Sequence, residues 1–299
     1  MAKSRKKIRR RLRRFSKSRF YELQDKVFEY FGLGCTLFGI LVLMLLLGDV
    51  LIKGLSRLDW DFIMGLPSRK AATAGIYTAW VGTLWILVLT AIIAFPIGIG
   101  AGVYLEEYNK KGRLSNFIEI NIANLAGVPS IIYGLLGLEL FARTLKLGES
   151  LLTGALTLSL LILPIIIVST RESIKAVPQS IREGSFALGA TKWQTIWFQV
   201  LPAAISGIFT GVILSLSRAV GETAPLIVIG ALTFVPFVPE SVMDSFTVLP
   251  IQIFNWVSRP QKEFADNAAA AIIVLLSITF LMNGLAIYLR HRWQKKIKW

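Results

Sequence analysis

The feature that most restricts this sequence is a series of long stretches without Asp, Glu, Lys or Arg. They cover residues 32–48, 71–105, 120–138, 150–170, 193–217, 223–239 and 267–289. An α-helix rises 1.5 Å per residue, so roughly 20 apolar residues are needed to cross a hydrocarbon layer about 30 Å thick. Several stretches reach that length, and their apolar residues run on in blocks instead of alternating with polar ones. Of the 299 residues 54% are hydrophobic and only 17% charged, a composition that excludes an ordinary soluble domain. The expectation is an all-α polytopic membrane protein with six transmembrane helices, at about 33–53, 77–103, 117–141, 151–171, 202–230 and 268–289.

Charge gives this arrangement a direction. The net charge is +15. Residues 1–33 hold twelve Lys or Arg, and the last ten residues hold Arg290, Arg292, Lys295, Lys296 and Lys298. An even number of spans puts both termini on one side. The loops on that side carry Lys110, Lys111, Arg113, Arg171, Lys175, Arg182 and Lys192, giving twenty-four basic residues there against eight on the other. Cytoplasmic loops of membrane proteins carry such an excess, so both termini are expected in the cytoplasm. A basic head can also bind nucleic acid, but this one abuts a membrane block. Attraction to anionic lipid headgroups is the expected role, with no nucleic-acid partner. The apolar run after it lacks a small-residue cleavage site, so the first helix is expected to remain uncleaved. The expected divisions are a basic segment (1–32), a six-helix membrane domain (33–290) and a basic tail (291–299).

Enzymatic chemistry finds little support. Cys35 is the single cysteine and lies in the first span, and His291, the single histidine, lies in the basic tail. Neither has the partners for a triad or a metal site. No metal, cofactor or catalytic residue is expected in the chain.

Two regions carry information. The first is the connection 172–201. Pro178 suits a helix start and Gly189 a left-handed helix end, while Thr191 with Gln194 forms a capping box. Trp193, Ile196, Trp197 and Val200 then fall on one helical face. Two short helices with a sharp corner, lying across the cytoplasmic face, are expected. The second region is Ser215 to Pro225, with Arg218 and Glu222 one helical turn apart. Counted from Pro202, Arg218 stands roughly 24 Å along the axis, inside the membrane. A central charge there costs on the order of 2.5–3.5 kcal/mol, and the pair offsets part of it. Two readings stay open: an ion pair that fixes packing, or a site on an anion path, where the guanidinium fork matches oxyanion geometry. A ridge of Gly207, Gly211, Ser215 and Ala219 beside the pair lets a neighbouring helix approach closely. Pro225 removes the backbone bond to Gly221 and is expected to kink span five; Pro96 and Pro129 are expected to interrupt spans two and three. Asn121, Asn124, Ser130, Tyr133 and Asn283 are further polar candidates for a path. The prolines and mixed composition of 231–267 read as a folded external cap.

The connection resembles the cytoplasmic Glu-Ala-Ala loop of ABC importer permeases. Glu183, Gly189, Leu201 and Pro202 keep its spacing, Gly184 and Ser185 replace the two alanines, and Gln199 replaces the usual isoleucine. Four ordered blocks narrow the resemblance. Asn124-Leu-Ala-Gly-Val-Pro-Ser-Ile-Ile-Tyr-Gly134, Ala187-Leu-Gly-Ala-Thr-Lys-Trp193, Ser217-Arg-Ala-Val-Gly-Glu-Thr-Ala-Pro-Leu226 and Gln252-Ile-Phe-Asn-Trp256 resemble the A-type permease (PstA) family of the phosphate importer. The resemblance implies the type I ABC importer permease fold in a bacterial inner membrane, importing inorganic phosphate. It implies a heterodimer with a C-type permease, two ATPase subunits and an external phosphate-binding protein. It also implies that Glu183, Gly184, Ser185, Gly189, Ala190, Thr191 and Lys192 dock the ATPase, and that Arg218 and Glu222 meet the ion. The chain has no Gly-x4-Gly-Lys-Ser/Thr loop, so ATP and Mg are expected on the partner ATPase. A permease for sulfate or molybdate, and a non-transporting membrane scaffold, are the alternative expectations.

Overall fold

A computed structural model describes residues 2–109, 112–231 and 234–294, with the backbone alone at 2–20, 114–116, 289 and 293–294. The side chains of the basic head from Lys3 to Arg19, Lys110, Lys111 and the tail lysines Lys295, Lys296 and Lys298 lie outside the described residues. The chain divides into two units, Met1–Ile52 and Lys53–Trp299. The first is a single helix, α1 (Ala2–Leu55, running three residues past the division). The helix is continuous from Ala2 through the rest of the basic segment 1–32 into the first apolar stretch.

The second unit contains α2 (Trp60–Met64), α3 (Tyr77–Val103), α4 (Arg113–Ala126), α5 (Ser130–Gly137), α6 (Leu151–Lys175), α7 (Gln179–Ala187), α8 (Lys192–Thr195), α9 (Leu201–Gly221), α10 (Ala224–Val228), α11 (Leu249–Val257) and α12 (Glu263–Gln294). Among the described residues five helical stretches are long and apolar enough to cross a membrane. A sixth is reached if Phe117–Ala126 and Ser130–Thr144, bent by 104° at their junction, count as one span. The expected spans two, four and six coincide with α3, α6 and α12.

Helix α6 is the centre of this unit, packed between α3 and α9. Leu151, Ala155, Leu158, Leu161, Ile162 and Ile166 are buried along it. The small-residue ridge of α9 serves this packing. A Cβ at Gly207 would lie 2.3 Å from Ser173 Oγ, and one at Gly211 only 1.8 Å from Ser169 Oγ. The two serines, one turn apart on α6, therefore seat against bare backbone, and Ser215 and Ala219 continue the same buried line. Between membrane helices, where lipid is as apolar as leucine, such close contact supplies much of the association. Overpacking costs about 1–3 kcal/mol or more. Gly211→Val is accordingly expected to lower the thermal midpoint of the detergent-solubilised protein by on the order of 5 °C. Gly100→Ala, whose Cβ meets nothing within 4 Å, should leave the midpoint unchanged, and differential scanning fluorimetry compares the two.

Three prolines behave differently from one another. Pro96 lies inside an unbroken α3, so the expected interruption of span two is absent. Gly127-Val128-Pro129 does break span three, and the break is a corner. Pro225 ends span five instead of kinking it: α9 stops at Gly221, Glu222 is extended (φ −73°, ψ 123°), and α10 begins at Ala224. A proline ring collides with the carbonyl four residues before it, which here is that of Gly221, so the helix restarts around Pro225 near its N-terminus.

The 231–267 connection is folded. Phe246, Val248, Leu249, Ile251 and Trp256 are buried in it. Its Asp244 and Val242 carbonyls accept the Leu151 and Leu152 N–H groups, and Ser150 caps Thr153. The free donors at the start of α6 are thereby satisfied.

Candidate functional site

Arg218 lies in the last turn of α9 and Glu222 is the residue at which that helix ends. Arg218 Nε is 3.2 Å from Glu222 Oε1; the arginine side chain is 42% exposed and the glutamate 15%. The carboxylate thus sits within the fold while the guanidinium reaches out of it, with Nε its one bonded donor among the described residues. On one flank of Arg218 the ridge faces α6. On the other, Ser217 Oγ lies 2.7 Å from Asn283 Oδ1 of α12. The two broken spans meet here. A Cβ on Gly134 of α5 would lie 2.7 Å from the Cα of Pro225, so α5 packs directly on α10.

The other polar candidates divide. The Tyr133 hydroxyl donates to the Leu125 carbonyl at 2.8 Å, stapling α5 to the end of α4 across the corner. Asn121 bonds the Phe117 carbonyl of its own helix, and Asn124 is exposed beside the corner. Asn283 is engaged with Ser217.

The elbow of 176–201 has the expected corner. Gly189 has φ +80°, a left-handed conformation that favours glycine. Thr191 and Gln194 form the reciprocal capping box, with Thr191 N–H donating to Gln194 Oε1 at 2.8 Å. The second helix is not separate, however. From α8 a π-turn over Ile196–Val200 leads straight into α9. In it Leu201 N–H reaches back to the Ile196 carbonyl, and the wider turn accommodates Pro202, which has no N–H to donate. Residues 192–221 are therefore one apolar helical stretch, and any movement of the corner is applied directly to the helix bearing Arg218.

Glu183 and Gly184 are exposed, as are Phe186 and, at 91%, Leu188. A Cβ at Gly184 meets nothing within 4 Å. Ser185 Oγ lies 2.9 Å from Thr195 Oγ1, tying α7 to α8. Ala190 N–H donates to the Ser185 carbonyl at 3.2 Å. Lys192 Nζ donates to the Glu107 carbonyl and stands over the Tyr108 ring, 4.9 Å from its centroid. Of the expected docking residues, Glu183, Gly184 and Gly189 are exposed, while Ser185, Ala190 and Lys192 hold the elbow together; the exposed apolar side chains of Phe186 and Leu188, which were not among them, stand between the two groups.

Sequence reading missed the strongest brace. Arg182 and Glu107 are 12% and 10% exposed and paired at 2.7 Å. A second group joins Arg171 to Glu119 at 3.0 Å and to Glu106 at 3.6 Å. The available signal was the acidic pair Glu106-Glu107 at the end of span two, on the side with the basic loops.

Comparison with known proteins agrees with this architecture. Residues 94–295 match the family described as binding-protein-dependent transport system inner membrane component. The chain belongs to this family. It is a transport subunit, the permease of an ABC importer, and the matched region contains both Arg218 and the elbow. A probable ABC transporter permease protein, YqgI of Bacillus subtilis, is 32% identical over 84% of this chain and 90% of its own length. The phosphate transport system permease protein PstA of Yersinia pestis is 30% identical over 88% of each chain. PstA 1 of Mycobacterium tuberculosis (strain H37Rv) is 35% identical over 75% of this chain and 72% of its own. Among solved structures, the inward-facing MetNI methionine ABC transporter aligns with TM-score 0.58 at 18% identity, covering 71% of this permease and 94% of that chain. At that identity the likeness concerns the fold, which is the type I ABC importer permease fold.

Proposed function

We propose that this permease carries inorganic phosphate into the cytoplasm across a bacterial inner membrane, as one half of a heterodimer with a C-type permease. Both termini face the cytoplasm, which puts the elbow there and residues 231–267 outside. An external phosphate-binding protein delivers the ion. Two ATPase subunits hydrolyse ATP and close on the elbow through Glu183, Gly184, Ser185, Gly189, Ala190, Thr191 and Lys192. Arg218 carries the anion reading: its guanidinium is half open, at a helix break where two interrupted spans meet. The relatives named as phosphate permeases support phosphate in particular. A guanidinium offers paired donors to phosphate oxygens. Glu222, the acid beside it, takes the arginine back when the ion leaves, so that neither a trapped anion nor a bare buried cation persists.

The same fork fits any tetrahedral oxyanion, and the Bacillus relative is named without a cargo, so sulfate or molybdate import is the second reading. Competition decides between them. In cells that depend on this permease, unlabelled phosphate should suppress radiolabelled phosphate uptake, and sulfate or molybdate in tenfold excess should not. Suppression by those anions would favour the second reading. Undiminished uptake in cells lacking the chain would instead support a scaffold.

A further inference from the structure

We infer that Arg182 is a positioning residue: a strut that makes α7 move as one body with the ends of α3 and α6. Its guanidinium engages three acceptors in different directions. Nε and Nη2 both donate to Glu107 Oε1, at 3.0 and 2.7 Å. Nη1 donates to the Val177 carbonyl at 2.7 Å, and Nη2 also to the Ile174 carbonyl at 3.0 Å. Glu107 belongs to the π-turn that extends α3 (Tyr104–Tyr108). Ile174 lies in the last turn of α6 and Val177 two residues past its end, and the Ile174 carbonyl also accepts the Val177 N–H at 3.1 Å. One side chain of α7 therefore grips two membrane helices.

The chemistry requires arginine. A lysine ammonium can pair with Glu107 but has no planar fork to hold a carboxylate and two carbonyls at fixed angles. The grip is nearly dry, so water competes weakly for its bonds. Ser185 with Thr195, and Lys192 with the Glu107 carbonyl, tie the same region to the start of the α8–α9 stretch. A push on the exposed tip then reaches α3, α6 and α9 together instead of bending the elbow. This inference rests on the elbow being the face that receives the ATPase.

The test uses the assembled importer with Cys35 replaced by Ser and spin labels at Ser180→Cys on α7 and Tyr104→Cys at the end of α3. Both native residues are exposed. With Arg182 intact, the label distance should change by less than about 1 Å on adding ATP, below the scale of interface helix shifts. Arg182→Ala should let that distance move or broaden with nucleotide. Phosphate carried per ATP hydrolysed should fall about 5-fold or more, the low end of typical coupling, and Arg182→Lys should fall between. Where Arg182→Ala does not accumulate, Glu107→Gln, which keeps an acceptor but loses the charge, should shift both readouts in the same direction by less. A fixed distance and intact-complex stoichiometry in whichever of these variants assembles overturns the inference. The distance is read without cargo. An importer that moves no phosphate but keeps the distance fixed only while Arg182 is present would reject the cargo and retain the strut.

Discussion

Arg218→Gln is expected to reduce ATP-driven phosphate uptake by about 100-fold or more while the permease still folds and joins its complex. Hydrogen bonds to charged groups contribute about 1.5–3 kcal/mol each, and losing two from one guanidinium gives a loss of that size. Folding should survive because the side chain is 42% exposed, and a glutamine amide can still donate to Glu222. Arg218→Lys, which keeps the charge but not the fork, should transport at an intermediate rate. Uptake in whole cells, normalised to the amount of membrane-inserted protein, measures this. Normal uptake in Arg218→Gln would make the ion pair a packing device.

The second large effect is expected at the tip of the elbow. Leu188 is 91% exposed and Phe186 45%, an apolar pair projecting beside two glycines. Burying a leucine side chain contributes about 1.5–3 kcal/mol. Putting an unpaired carboxylate into the same buried contact costs several kcal/mol more. Leu188→Asp should therefore weaken ATPase association by about 1,000-fold or more without unfolding the permease, whose own packing does not use this side chain. Affinity purification through a tag on this chain should recover little ATPase from the variant. Undiminished recovery would place the docking surface elsewhere.

Much of this was legible in the sequence because it depends on local rules. Uncharged length gave α3, α6 and α12. The Thr191 capping box and the left-handed Gly189 follow from chemistry within four residues. The small-residue ridge followed from spacing alone, although its partners, Ser169 and Ser173, did not. What escaped depends on contacts between distant segments or on how a proline is accommodated. Pro96 leaves its helix unbroken, Pro202 is accommodated by a π-turn, and Pro225 ends a helix, yet each reads in sequence as one missing N–H. The pairing of Arg182 with Glu107 joins residues 75 positions apart, and neither is unusual where it stands in a basic or acidic loop. The pairing of Arg218 with Glu222 was legible as one helical turn. The helix in fact ends at the glutamate, and the pair forms across that end.

The most direct test of the account is flux through a purified importer. The proposed complex, this permease with a C-type permease and two ATPase subunits, is reconstituted in liposomes. Phosphate-binding protein and ATP are supplied on their respective sides. The account predicts accumulation of radiolabelled phosphate on the ATP side that requires ATP and binding protein and is lost in Arg218→Gln. Accumulation unaffected by that substitution, or ATP hydrolysis stimulated by the binding protein with no phosphate moved, would contradict it.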